Sequence, residues 1–501
     1  PPTPSTIEKE LLDKVNNMIE VENVGRHKRN QLPFLKTLTN YQIARILLWT
    51  RRMIRIAPSS KLTPAKFDVV GMYVENGDDE GVYITDDDRL MTVVQEFNIP
   101  ADEKSIKAAL RHIRQYAERK YATADRDLVP VANGVFNFKT KELTPFSPDY
   151  VFTAKVRTPY NPNAKNVVIN HPDDGTAWDI ESWMNSLSDN PAIVALLWEI
   201  LSALVRPYVR WNRAAFFYSE KGNNGKGTFC ELGRNLLGRG SCASIPIEDF
   251  NKDFLLEPLL AALAIIVDEN NVGSFNDRAA NLKAVITNDV ISINRKFLAP
   301  IAYQFHGFMI QCLNEMSRSK DKSESFYRRQ LFVPFEKSFK GIERRYIKED
   351  YLARPEVLEY VLFKVLNMDH YELSEPQACA DLLREQQIMN DPILEFWLEH
   401  EEMFVWDFLP FSFLHDLYCE WMDRTHKGSP KVSRKMFSMR IKTYAEGSKL
   451  WDGSQSGAQI RVKSLLSKPE PLISQYSLTF WMSPQSSGPA RNMPNLDPGT
   501  K

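Results

Sequence analysis

Apolar residues recur in three patterns along this chain. The first is a short unbroken run. Ala214-Ala-Phe-Phe-Tyr218, Leu263-Ala-Ile-Ile-Val267, Phe308-Met-Ile-Gln-Cys-Leu313 and Leu331-Phe-Val-Pro-Phe335 are of this kind, and they predict strands covered on both faces. The second is helical spacing, over Asn40–Trp49, residues 178–210, Phe229–Leu237, Pro410–Trp421 and Val432–Lys442. The third is alternation over Ile291–Phe305, which predicts a hairpin with Arg295 and Lys296 near its turn. Residues 5–60 read as helical, and residues 65–165 as short strands with one helix at Lys104–Lys120. Residues 166–176, rich in Asn, Pro and Asp, read as a linker. Apolar strands separated by helices predict an α/β core. The expected division is a helical segment 1–64, an α+β domain 65–176, the core with its leading helices 177–340, a helical lid or linker 341–390, a last domain 391–482 opened by Asp391-Pro392, and a tail 483–501. That tail is rich in Pro, Ser, Gly and Asn and predicts disorder.

Composition narrows the classes. A length of 501 residues suits about three domains, and 43% hydrophobic with 25% charged residues is a globular balance. The net charge is −1, so any nucleic-acid contact must be a local patch and not a global basic field. The five cysteines (Cys230, Cys242, Cys312, Cys379, Cys419) form no CxxC pair, which argues against a disulfide framework or a zinc site and for a reducing compartment. The longest apolar stretch, Ala192–Val205, contains Glu199 and is too short for a bilayer, and no signal peptide is present. A cytoplasmic protein with no membrane partner is expected, in the host cytoplasm if the chain is viral. The chain begins at Pro1 without Met, which leaves room for a longer protein.

The candidate chemistry lies at the ends of the four runs. After Tyr218 comes Gly222-Asn223-Asn224-Gly225-Lys226-Gly227-Thr228, then the helical pattern. Strand, glycine loop and helix are the context of a P-loop, in which backbone N–H groups and a helix N-terminus cradle phosphates and Lys226 reaches the β- and γ-phosphates. Two positions depart from the pattern: Glu220 stands where Gly is usual, and Gly227 where Ser or Thr would hold magnesium. Thr228 is the remaining hydroxyl, for the metal or for the α-phosphate. The second run ends in Asp268-Glu269, the third in Asn314, and the fourth is preceded by Arg328-Arg329. Asp268 would hold Mg²⁺, Glu269 polarise the attacking water, Asn314 orient that water, and an arginine finger stabilise the transferring phosphoryl group. Each has a bland alternative as a turn or a solvated charge; their order and conjunction favour nucleotide hydrolysis.

With these motifs the chain resembles the helicase part of a superfamily 3 helicase, in the primase-helicase family of phages, plasmids and large DNA viruses that includes the poxvirus type. Lys226 and Thr228 match its Walker A loop, Asp268 and Glu269 its Walker B strand, and Asn314 its motif C. Leu282-Lys283 through Asp289, then Ile291 through Arg295 and Lys296 to Phe297, match its B′ segment, and Arg328 to Phe335 its arginine-hydrophobic-Pro-Phe stretch. Upstream, Asn133-Gly134, Phe146 to Tyr150, Pro159 to Pro162 and Trp198-Glu-Ile-Leu are similar too. The resemblance implies an AAA+-like P-loop ATPase core, ATP and Mg²⁺ as cofactors, and a finger at Arg329, or at Arg328, acting on a neighbour. It implies a homo-oligomer, a hexameric ring in similar proteins, on single-stranded and forked DNA, with Lys283, Arg295 and Lys296 toward the DNA. It also leaves room for a primase or polymerase domain or partner.

The last domain reads as helix, turn, basic helix and a wing strand at Ile460–Lys463, which resembles a winged helix; a protein-contact domain of the same shape is the alternative. The basic helix over Lys104–Lys120 reads as a DNA face or a solvated one. Three function classes stand: a ring helicase, a P-loop switch without DNA, and an initiator scaffold with a weak ATPase.

Overall fold

The structure, a computed structural model, describes residues 3–57, 64–97, 101–270, 280–296, 298–316, 321–406, 408–446, 448, 451–452, 459–462 and 470–482. The chain forms two compact units, Pro1–Met316 with Ser323–Ala380, and Ser317–Lys322 with Asp381–Lys501.

The first unit is built on β1 (Ala214–Tyr218), β2 (Cys242–Ala243), β3 (Ala264–Val267), a hairpin of β4 (Val290–Arg295) and β5 (Leu298–Gln304), β6 (Phe308–Leu313) and β7 (Gln330–Pro334). Five of these form one sheet in the order β2-β3-β6-β1-β7, every neighbouring pair parallel. The unbroken apolar runs follow from this, because helices cover both faces. Ala215, Phe216, Phe217, Ile265, Ile266, Ile310, Phe332 and Val333 are fully buried. Helix α1 (Lys226–Leu237) and the apolar helix Pro191–Val205 share their core. β1 lies inside the sheet, and the chain passes to β2 at the far edge before returning through β3 and β6. That reversal opens a crevice at the carboxyl end of β1, where open α/β sheets bind ligands.

The β4–β5 hairpin pairs Val290 with Gln304 through to Arg295 with Leu298, with an irregularity between Ile293 and Arg295. It joins β6 through Gly307 at the amino edge of the sheet. A Cβ at Gly307 would lie 2.2 Å from the Leu263 carbonyl oxygen, so only glycine fits there.

Two elements upstream differ from expectation. Residues 5–60 are not all helical: after the helices Pro4–Asn23 and Asn40–Thr50, Met53–Ala57 is a strand between Val69–Tyr73 and Arg119–Tyr121. The run Met-Ile-Arg-Ile-Ala supplies β-branched residues to a buried position. The helix expected over Lys104–Lys120 runs Glu103–Tyr116 with Asp102 as its cap. Arg119 lies beyond it and donates to the buried Asp68 at 2.9 and 3.0 Å, so it is committed to an internal ion pair and not to a DNA face. Residues 166–176, expected as a linker, include a tight pairing of Ile169–Asn170 with Ala177–Trp178. The strands Leu128–Val131, Gly134–Asn137 and Glu142–Thr144 share the core of the large sheet. The following segment is bonded to α1 and to the turn after it: Arg157 N–H donates to Leu237 O at 3.0 Å and Thr158 Oγ1 to Leu236 O at 2.8 Å.

In the second unit the order is helix Pro392–His400, strand Phe408–Pro410, helices Phe411–Thr425 and Arg434–Glu446, then strands Trp451–Asp452 and Gln459–Val462. The last strand lies between the other two, antiparallel to both. Its core holds Phe396, Trp397, Trp421, Phe437 and Trp451. Asp391 caps the first helix and accepts from Arg440 and Tyr444. Phe297, Lys463 and the tail 483–501 lie outside the described residues. Among the described residues no helix is long and apolar enough to cross a membrane.

Candidate active site

The glycine-rich turn leaves the carboxyl end of β1 and becomes α1 at Lys226. Gly225 has φ +90, a conformation that L side chains rarely adopt, and a Cβ there would also press on Leu187 at 2.8 Å. Asn223, at φ 55, donates to Glu343 Oε1 at 2.7 Å, and its carbonyl accepts from Phe339 N–H at 2.7 Å. Asn224 accepts from the Lys226 N–H at 3.2 Å and donates to the Lys221 carbonyl. Gly222 has open space around it. Glu220 accepts from Tyr218 OH at 3.0 Å, outside the turn itself.

Lys226 is the centre of the site. Its side chain is buried, and Nζ donates to Asn314 Oδ1 at 2.9 Å, Leu313 O at 3.0 Å and Ser219 O at 3.2 Å. Burial pulls the ammonium below its ordinary pKa, while Cys312, Cys230 and Glu269 act in the opposite direction. Two residues from separate motifs, Lys226 and Asn314, are thus brought into contact at the crevice. An ammonium held by three neutral oxygens is ready to exchange them for an anion, because the anionic partner is the stronger one.

The acids at the tip of β3 part ways. Asp268 accepts from Arg234 Nη2 at 2.6 Å and Nη1 at 3.2 Å. Glu269 is exposed. Asn270 bonds to Gln311 Oε1 at 3.0 Å and Cys312 O at 3.1 Å, and accepts from Ile247 N–H at 2.9 Å. Arg234 and Asn270 were not singled out from the sequence. Arg234 sits at a helical position whose partner is far along the chain; the adjacency of Asn270 to the acid pair was the only available signal.

Thr228 opens a cleft of about 560 Å³ on the other side of the turn, with Trp183, Leu187, Phe339, Ile342 and Lys348. A Cβ at Gly227 would lie 3.7 Å from Lys348 Nζ. Oxygen donors of the kind Mg²⁺ prefers are therefore present in Thr228, Asp268 and Glu269; Mg²⁺ habitually takes one or two carboxylates, with water and phosphate oxygens completing its shell.

The remaining candidates lie elsewhere. Ala214 pairs with Gln330 at the start of β1 and β7, so Arg328 and Arg329 precede β7 at the amino edge. Arg328 is exposed; Arg329 donates to the Ser325 carbonyl. On the hairpin Lys296 is exposed, whereas the Arg295 side chain is 16% exposed and lies 3.9 Å from Asp87. Lys283 is half-buried on the helix Ala280–Ile286. Arg295 also lines an apolar cavity of about 290 Å³ with Tyr208, Leu263, Tyr303 and His306.

Three family profiles match the chain. Residues 52–189 match "D5 N terminal like", residues 217–329 a family of unknown function, DUF5906, and residues 388–458 "Poxvirus D5 protein-like". No curated protein matches the sequence. Among solved structures, the apo structure of the NrS-1 C terminal region (305–718) is similar at 14% identity and TM-score 0.46, covering 86% of this chain and 100% of that one. The A form apo structure of the same region is similar at 13% identity and TM-score 0.45, covering 84% and 99%.

Proposed function

We propose, for a chain of the D5 primase-helicase type, an ATP-driven DNA helicase of superfamily 3 that acts in replication as a ring, hexameric as in similar proteins, on single-stranded and forked DNA. The observation that carries the ATPase part is the 2.9 Å contact between Lys226 and Asn314 at the crevice of the parallel sheet. It joins a phosphate-binding lysine to an amide suited to orienting water. In this reading Gly222 to Thr228 cradle the phosphates of ATP, and the cleft beside Thr228 offers Trp183, Leu187 and Phe339 to the base and sugar. Mg²⁺, when bound, supplies charge stabilisation on the phosphates; Thr228 and the acids of β3 are its candidate ligands. Glu269 polarises water. Arg329, with Arg328 as the alternative, reaches a neighbour's nucleotide.

The sheet with a glycine turn after its central strand supports an AAA+-like core. The helix–strand–helix–helix–strand–strand order of the second unit supports a winged helix, with Arg434–Glu446 in the place of the helix that enters a groove. A host-cell cytoplasmic location belongs to the same reading. One observation favours the scaffold with a weak ATPase instead: Gly227 supplies no hydroxyl next to Lys226.

The test is ATP hydrolysis with and without single-stranded DNA, together with strand displacement on a forked duplex. DNA-stimulated hydrolysis and displacement, both lost in Lys226→Ala, are expected. Wild-type turnover no greater than that of Lys226→Ala refutes the reading; hydrolysis without displacement moves the chain to the scaffold class.

A further inference from the structure

Two neighbouring carboxylates at the tip of β3 have opposite surroundings. Asp268 receives both terminal nitrogens of Arg234, at 2.6 and 3.2 Å. Arg234 is held in turn by Glu231 at 3.3 Å, and the other oxygen of Glu231 takes Arg239. Glu269 has no hydrogen-bond or ion-pair partner among the described residues. Asn270, on its other side, is fixed by three hydrogen bonds to β6 and to Ile247. Glu269 therefore stands between two pinned neighbours. The fields agree with the geometry: Glu269 acts on Lys226, while Asp268 acts on Cys230, one helical turn further along α1. Burial works against the Arg234 charge, but its bond and attraction to Asp268 hold its pKa above the ordinary value.

A bidentate arginine–carboxylate pair of this kind is geometrically specific, and removing one member of a buried pair leaves the other uncompensated. For Asp268 to ligate a metal it would have to release Arg234. We infer, resting on the ATPase reading above, that Arg234 is a positioning residue: it holds Asp268 as a strut, and with Asn270 it aims Glu269, which is the acid of the pair that meets the nucleotide-bound metal and the attacking water.

The test compares Arg234→Gln, Arg234→Lys, Asp268→Asn, their Gln/Asn double variant and Glu269→Gln, after circular dichroism has shown each to be folded. The readouts are kcat, KM for ATP and the Mg²⁺ midpoint of hydrolysis. Glu269→Gln should reduce kcat by about a hundredfold or more while the protein still binds a fluorescent ATP analogue. Arg234→Gln and Asp268→Asn should each reduce kcat by about tenfold, the usual scale for a partner that orients a working group, with KM and the Mg²⁺ midpoint within about twofold of wild type. The double variant should be no worse than the worse single, because the two act as one unit. Arg234→Lys, which keeps the charge and loses the fork, should recover part of the rate. The inference is overturned if Asp268→Asn is as dead as Glu269→Gln while Arg234→Gln is not, if Asp268→Asn shifts the Mg²⁺ midpoint about tenfold, or if the losses multiply in the double variant. Failure of the ATPase reading looks different: Lys226→Ala would then turn over as fast as wild type. In that case the pair is read from melting temperatures, where non-additive losses support the strut and additive losses refute it.

Discussion

The two edges of the central sheet are finished to different degrees. At the carboxyl edge the charged groups are tied within the chain: Lys226 to Asn314, Leu313 and Ser219, and Asp268 to Arg234. At the amino edge Arg328 and Lys296 face outward. β1 and β7 pair over five residues, so the arginines stand roughly 15 Å of strand away from the glycine turn of their own chain. One edge is organised to hold a nucleotide. The other carries cations for partners outside the chain, a neighbour's phosphates in one case and a DNA backbone in the other.

The largest effect should come from the amino edge. Arg329→Ala should lower ATPase turnover by about three orders of magnitude while ATP binding is kept, as measured by steady-state hydrolysis and nucleotide titration. If Arg328→Ala does this instead, the finger is its neighbour; if neither does, the comparison of edges loses its catalytic half. Lys226→Ala, at the other edge, should cost about a hundredfold or more in turnover and should weaken nucleotide binding as well. Retention of tight ATP binding by this variant would contradict the role of the turn.

A smaller effect separates the two basic residues of the hairpin. Lys296→Ala should weaken single-strand binding and reduce the slope of log K against log salt by about 0.7 for each phosphate that is no longer neutralised. Arg295→Ala should leave that slope closer to wild type, because its side chain is turned toward Asp87. Equal slopes in the two variants would show that burial does not divide their work.

The smallest effect is on stability. Burial, with Arg210 nearby, lowers the His306 pKa to about 4 from an ordinary 6.5. The folded state then binds its proton more weakly than the unfolded state. Stability from this group is complete above pH 6.5 and is lost as pH falls toward 4. His306→Gln should flatten the fall in melting temperature over that window; an unchanged profile would assign the acid sensitivity to other groups.

What the sequence made legible follows from where each signal lies. Lys226, Glu269 and Asn314 stand at the ends of apolar runs, and a run that must be a buried strand carries its end residue to the sheet edge. The hairpin was legible from alternation. The partner of Asp268 was not, because the spacing of Phe229–Leu237 gives a helix face but not the acid that Arg234 meets thirty-four positions later. Arg119 read as part of a basic helix for the same reason: its buried partner Asp68 is fifty-one residues upstream. The strand Met53–Ala57 was hidden behind a helical stripe that ends at Thr50. Long-range polar pairing leaves no local period.

The central claim is that a nucleotide held at one chain's carboxyl edge is completed from another chain's amino edge. Mixing tests it most directly. Lys226→Ala carries an intact finger and a broken turn; Arg329→Ala carries the reverse. Each should be nearly inactive by itself. Co-assembled and verified as mixed oligomers by native mass spectrometry, they form some interfaces with both parts intact, and part of the ATPase activity should return. Mixed oligomers that stay as inactive as the single variants would contradict the account.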